Sequence, residues 1–214
     1  MYQSVIFDLD GTLLNTLEDL KDGVNHALWL HGYPERSLEE VKNFVGNGIQ
    51  KLIERAVPKG TEKSKQTMVF QEFRSYYTSH CRIKTQPYDG IMELLQVLKE
   101  HHIAMAIVSN KNDAAVKKLS KYYFSDYIDV AIGEREGIRK KPAPDSVFEA
   151  MKLLGAKKEN SIYVGDSDVD RETAANAGLA CVSVTWGFKE EKMLRGLNPE
   201  YLIKKPEELA RIIL

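Results

Sequence analysis

Four short apolar runs, each followed at once by polar residues, limit the fold more than any other feature. They are SVIF (4–7), IAMAIV (103–108), SIYVG (161–165) and ACVSV (180–184), and YIDVAIG (127–133) is a fifth, less regular one. Between them lie helical patterns. Ile91, Leu94, Leu95 and Leu98 share one face, and further helices are expected near 111–121, near 144–154 closed by Gly155, and near 169–177 closed by Gly178. A strand apolar at every position is buried on both faces, and such strands alternating with helices imply a parallel sheet covered on both sides. The fold class expected is therefore α/β, with a doubly wound parallel sheet.

The alternation is interrupted after its first strand. Leu17, Leu20, Val24, Ala27 and Leu28 fall on one helical face, and Val69, Phe73, Tyr76, Tyr77 and His80 fall on another. SLEEVKNFV and NGIQKLIERAV between them read as two shorter helices, with Ser37 as N-cap of the first. No strand pattern occurs from 15 to 82. The expected organisation is a core of 1–14 and 83–214 carrying a helical insert of 15–82, large enough to be a subdomain.

Charge and composition narrow the function classes. Thirty Lys and Arg face 31 Asp and Glu, for a net charge of -1, so nothing points to a nucleic-acid partner. With 43% hydrophobic and 29% charged residues the chain is of the globular class. No apolar run reaches membrane-spanning length, and no basic leader precedes the first strand. Cys81 and Cys181 match no metal spacing and read as free thiols. The expectation is a soluble cytoplasmic protein that uses neither membrane nor nucleic acid.

In doubly wound sheets ligands bind at the carboxyl ends of the strands, where this chain puts its chemistry. Asp8 and Asp10 follow the first strand, with Leu9 turned to the opposite side. Ser109 and Asn110 follow IAMAIV, while Asp166, Asp168 and Asp170 follow SIYVG. Lys141 precedes a turn-stiffening proline in KKPAP. Each alone has an ordinary reading: a turn cap for D-L-D, an N-cap for Asp166, Asp168 or Ser109, a solvated surface charge for Lys141. Together, clustered carboxylates with no nitrogen or sulfur ligand suit Mg²⁺ rather than zinc. A lysine and small donors beside that cation describe a phosphoryl site.

Competing motifs fail. DSDVDRE starts like a calcium loop, but Arg171 stands where its glycine belongs and Ala177 where its bidentate glutamate belongs. GNGIQK lacks the third glycine of a dinucleotide fingerprint, and none of the five histidines has a metal partner in the pattern.

The ordered set DLDGT, Ser109, Lys141 in KPAP, and GDSDVD resembles the four motifs of the haloacid dehalogenase superfamily, in its phosphatase branch with a helical cap inserted after the first strand. VGNG and AIGEREGIRKKPAPD most resemble the phosphoglycolate phosphatases of that branch. The resemblance implies a Rossmann-like core, with Asp8 as the nucleophile that forms an aspartyl-phosphate and Asp10 as general acid and then base. It implies Mg²⁺ held by Asp8, Asp166 and the backbone carbonyl of Asp10. Ser109 and Asn110 would bind phosphoryl oxygens, Lys141 would stabilise their charge, and Asp170 would support the metal's waters or orient Lys141. Asp168 sits at a variable position and is left to helix capping.

Asp10 argues against dehalogenase chemistry, and Thr12 with Leu20 argues against the related phosphomutases. For the leaving group, the cap residues Gly46, Asn47, Gly48 and Lys51 are candidates, and 2-phosphoglycolate fits as substrate. Pyrophosphate, sugar phosphates and nucleotides stay open as alternative small phosphorylated partners, in a monomer or homodimer. A non-catalytic protein binding a phosphorylated ligand would show a damaged catalytic position, and all five of Asp8, Asp10, Ser109, Lys141 and Asp166 are present.

Overall fold

The structure, a computed structural model, describes residues 1–214. Its elements begin with β1 (Ser4–Phe7) and β2 (Leu14–Asn15), then the helices α1 (Leu17–Leu30), α2 (Leu38–Phe44), α3 (Ile49–Ala56) and α4 (Lys63–His80). β3 (Gln86–Pro87), α5 (Ile91–Glu100), β4 (Ala104–Asn112), α6 (Asp113–Phe124), β5 (Val130–Glu134) and α7 (Asp145–Leu154) follow. The chain continues through β6 (Ser161–Gly165), α8 (Asp168–Ala177), β7 (Ala180–Val184), α9 (Glu191–Gly196), β8 (Tyr201–Ile203) and α10 (Pro206–Ile213). It divides into two compact units, Met1–Leu14 with Pro87–Leu214, and Asn15–Gln86.

The first unit is the doubly wound α/β core. Six parallel strands run in the order β5-β4-β1-β6-β7-β8, while β2 and β3 pair as a separate short ribbon. All four residues of β1 are buried, because the strand is hydrogen-bonded on both edges and covered on both faces. Its Phe7 aligns with Ile107 of β4 on one side and Val164 of β6 on the other. The chain builds outward from β1 through β4 and β5, then returns to add β6, β7 and β8 on the opposite side. That reversal beside β1 opens a crevice at the carboxyl ends of β1, β4 and β6. Ile6, Ala106, Val108, Ile132, Tyr163 and Cys181 form one apolar face of the sheet, packed with Val147, Ala150 and Met151 of α7 and Ala174 and Ala177 of α8.

Two details depart from the sequence expectation. β4 continues through Ser109, Asn110 and Lys111 to Asn112, so α6 starts at Asp113 rather than near 111. Its register against β5 slips between Val108 and Asn112, an irregularity of the kind that re-aims side chains beside a site. The cap of α8 is Ser167, in a reciprocal box with Asp170, and not Asp168, which already lies inside the helix.

In the second unit the regular elements are α1 to α4. Ser37 caps α2 and Glu40 returns the bond to the Ser37 N–H. Leu20, Val24, Ala27 and Leu28 of α1 and Val69, Phe73 and Tyr77 of α4 are buried, as the helical spacing requires. Tyr76 is stacked between His26 and His80, with ring centroids 4.0 and 3.8 Å apart. No helix of the chain is long and apolar enough to cross a membrane.

The second unit also holds a buried carboxylate that no motif announced. Asp19 is 3% exposed and accepts from the backbone N–H of Lys84 and Thr85 and from the Thr85 hydroxyl, the last at 2.7 Å. Charge-assisted bonds of this kind leave costly orphan donors when the acceptor is removed. Asp19→Ala is therefore expected to lower the unfolding free energy by about 3 kcal/mol, measured by urea denaturation; a change below about 0.5 kcal/mol would refute this account of the stitch.

Candidate active site

Three strand ends and one loop supply the polar centre of the core. Asp8 follows β1 directly, its N–H donating to the Val164 carbonyl of β6 at 2.9 Å, so the sheet itself fixes its Cα. Asp166 follows β6, and Asp170 stands one turn into α8. Acidic oxygens of Asp8, Asp166 and Asp170 lie within 4.8 Å of one another, and all three residues are buried. Close packing is possible because three positions carry no Cβ, among them Gly187, where one would stand 2.4 Å from Asp166 Oδ2. A Cβ at Gly11, whose φ is +85°, would stand 2.3 Å from Asp166 Oδ2, and one at Gly165 would stand 2.3 Å from Asp170 Cβ.

One buried ammonium enters this acidic group. Lys141 Nζ lies 2.8 Å from Asp8 Oδ1 and 2.7 Å from Asp170 Oδ1, with its side chain 3% exposed. It also donates to the Tyr163 hydroxyl at 2.9 Å, and that hydroxyl donates to Asp170 Oδ1 at 3.0 Å. Asp170 Oδ2 accepts from the Ser167 N–H and hydroxyl. Both oxygens of Asp170 are thus committed to protein donors, Lys141 among them. Asp8 Oδ1, by contrast, is buried and meets the Lys141 ammonium as an ion pair outside hydrogen-bond geometry. Asp166 accepts from the Phe188 N–H through Oδ2 alone, at 2.6 Å.

Asp10 goes elsewhere. Its carboxylate is gripped by Lys111, whose Nζ lies 2.9 Å from Oδ1 and 3.1 Å from Oδ2. The two aspartates of DLDGT therefore meet two different lysines, while Leu9 between them is fully buried. Ser109 is buried and its Oγ accepts from the Lys111 N–H at 3.3 Å, which leaves the hydroxyl proton to give away. Asn110 spends one amide hydrogen on the Lys141 carbonyl at 3.0 Å, tying the end of β4 to the lysine loop, and its buried Oδ1 has no partner.

Asp168 is exposed on α8 outside this centre. Of the insert residues, Gly46, Asn47 and Gly48 form the α2–α3 connection, where Asn47 accepts from Arg55 at 2.7 Å. Lys51 is ion-paired with Glu54 at 2.8 Å on the exposed face of α3. Two participants escaped the sequence reading. Lys111 adjoins the Ser-Asn pair, but a lysine there is indistinguishable from a helix-start charge until β4 is seen to run past it. Tyr163 looks like any apolar strand residue, since only its hydroxyl is polar.

The electrostatics follow from burial and charge count. Burial, then the neighbouring charge of Asp170, lifts Asp8 to about 7 against the pull of Lys141. Burial and the charges of Asp170 and Asp8 raise Asp166 well above the usual carboxylate range. Burial works against the Lys141 ammonium, but Asp170 and Asp8 outweigh it and hold its pKa well above the ordinary value. Three carboxylates around one lysine leave negative charge in excess. Free oxygens on Asp8 and Asp166, with no nitrogen or sulfur donor, fit a hard divalent cation.

The chain is similar to known proteins over most of its length. The family described as haloacid dehalogenase-like hydrolase matches residues 5–184. A phosphoglycolate phosphatase of Aquifex aeolicus is 30% identical over 210 residues, which span 98% of this chain and 95% of the relative. One from Pseudomonas syringae pv. tomato is 32% identical over 216 residues, spanning 98% of this chain and 78% of the relative. Among solved structures, a protein of Lactobacillus delbrueckii subsp. bulgaricus, named provisionally as a phosphoglycolate phosphatase, superposes with a TM-score of 0.95 at 33% identity. That match covers 100% of this chain and 98% of the other.

The raised Asp8 gives a pH signature with a definite sign. In the absence of metal, the folded chain keeps a proton on this carboxyl that the unfolded chain has already released above about pH 4. The native state then binds more protons, so Asp8 destabilises the fold progressively as pH rises from about 4 to 7, by on the order of 4 kcal/mol. With EDTA present, urea unfolding of the wild type is expected to lose stability across that window relative to Asp8→Asn. Parallel pH profiles for the two proteins would contradict the raised value.

Proposed function

Because the chain belongs to the haloacid dehalogenase-like hydrolases and is a phosphatase of that family, we propose that it hydrolyses a small phosphorylated metabolite through an aspartyl-phosphate on Asp8. The observation that carries the reading is the pair of strand-end carboxylates with separate buried lysines, Asp8 on Lys141 and Asp10 on Lys111. A nucleophile and a proton carrier need such separate environments, two residues apart on one rigid strand end.

The division of labour proposed is as follows. Asp8 attacks phosphorus and the bond to the leaving oxygen breaks, with Asp10 giving that oxygen its proton. Asp10 then takes a proton from the water that attacks phosphorus and frees Asp8. Lys141, held by Asp170 and Tyr163, balances charge on the phosphoryl oxygens, and Ser109 and the remaining amide hydrogen of Asn110 donate to them. Asp8, Asp166 and the Asp10 backbone carbonyl would hold Mg²⁺, which when bound supplies positive charge to the phosphoryl oxygens. The part proposed for Gly46, Asn47, Gly48 and Lys51 of the insert is choice among leaving groups.

The substrate proposed is 2-phosphoglycolate, on the strength of the names carried by the full-length relatives. Phosphate release is to be followed on 2-phosphoglycolate, pyrophosphate, hexose phosphates and nucleotides, with Mg²⁺ and with EDTA. Turnover is expected only with the metal, highest in kcat/KM on 2-phosphoglycolate, and reduced about 10³-fold or more in Asp8→Asn. Turnover that survives in Asp8→Asn sinks the mechanism, and a different leader in the kcat/KM ranking replaces the substrate. No turnover on any compound, with one of them still bound, would make the chain a phospho-ligand-binding protein instead.

A further inference from the structure

We infer that Lys111 is a positioning residue for the reaction: it holds the Asp10 carboxylate in the orientation that delivers a proton to the leaving oxygen. The inference rests on the role proposed for Asp10 and adds a residue to it. Lys111 lies on β4 two residues after Ser109, in the stretch where that strand slips out of register with β5. By the two-residue repeat of a strand it shares the face of β4 that carries Ser109. Its side chain is 2% exposed, against 14% for that of Asp10. One ammonium reaches both carboxylate oxygens, at 2.9 and 3.1 Å. Contact with both oxygens defines the plane and the torsions of a carboxylate whose backbone lies past the end of β1, in an isolated bridge with Leu14. The Lys111 N–H also meets Ser109 Oγ at 3.3 Å, so one residue ties the proposed phosphoryl ligand to the proposed acid.

Stability is a poor explanation for this pair. Burying a lysine against a carboxylate costs desolvation that the attraction roughly offsets, and an apolar side chain of similar length is often as good. Geometry is what the pair supplies. Lys141 does not duplicate it, since its ammonium is taken up by Asp8, Asp170 and Tyr163.

The test compares two neutral-leaving-group esters, an alkyl phosphate, whose alkoxide needs a proton, and nitrophenyl phosphate, whose phenolate does not. kcat/KM is the readout, because it reports the steps up to departure of the leaving group. Lys111→Met is expected to lose about 10- to 100-fold on the alkyl ester and less than about threefold on the aryl ester. Asp10→Asn should show the same contrast, and adding Lys111→Met to it should lower the alkyl rate by less than about twofold further. Lys111→Arg, which keeps a cation at the site, should recover most of the loss. Equal losses on both esters, or no loss on either, would overturn the inference. So would a loss confined to 2-phosphoglycolate and absent on the neutral alkyl ester, which would make Lys111 a counter-ion for the substrate carboxylate. Should Asp8→Asn keep its activity while the Lys111 contrast holds, the covalent mechanism falls by itself and the positioning role stands.

Discussion

Excess negative charge at the end of β1 is the constraint on which the rest of the core depends. Asp8, Asp166 and Asp170 are buried within 4.8 Å of each other, with Lys141 as the ammonium among them. Such a group is stable only if some carboxyls keep protons or a cation joins them. Burial has already pushed Asp8 to about 7, near the pH at which the group would work.

The surrounding fold reads as a means of holding that arrangement still. The parallel ladder of β1 and β6 fixes the Cα of Asp8 and ends just before Asp166, α8 carries Asp170, and the reversal of strand order beside β1 leaves the strand ends uncovered by crossing chain. Glycines at 11 and 165 let Asp166 and Asp170 approach to distances that a Cβ would forbid. Asp170 accepts from Lys141 and Tyr163 through one oxygen and from the Ser167 N–H and hydroxyl through the other, so both its oxygens are held by protein donors. The remaining two carboxylates keep free oxygens, and these are the ones the proposed chemistry needs.

What the sequence disclosed, and what it hid, follows from how far apart the interacting residues are. The doubly wound sheet was legible because SVIF, IAMAIV and SIYVG are apolar at nearly every position, a pattern that only two-sided burial sustains. The acidic positions were legible because DLDGT and GDSDVD carry their spacing within a few residues. Lys111 was not, since its partner Asp10 lies 101 positions away and β4 runs on past the apolar stretch to carry it. Tyr163 and Asp19 were hidden in the same way, each serving partners that only the folded chain brings near. Ser167, not Asp168, is the helix cap because α8 already begins at Asp168, and Ser167 accepts from the Asp170 N–H while Asp170 returns the bond. Local periodicity reports burial; it does not report which distant side chain will be waiting.

The most direct test of this account is the proton balance of Mg²⁺ binding, measured by titration calorimetry near pH 6 in two buffers of different ionisation enthalpy. If Asp8 and Asp166 hold protons in the metal-free centre, binding must expel them, and the apparent enthalpy will differ between the buffers by the protons released. Asp166→Asn should bind far more weakly. Failure of Mg²⁺ to bind, or binding with no proton release, would contradict the claim that a buried, undersatisfied carboxylate group is the origin of the site.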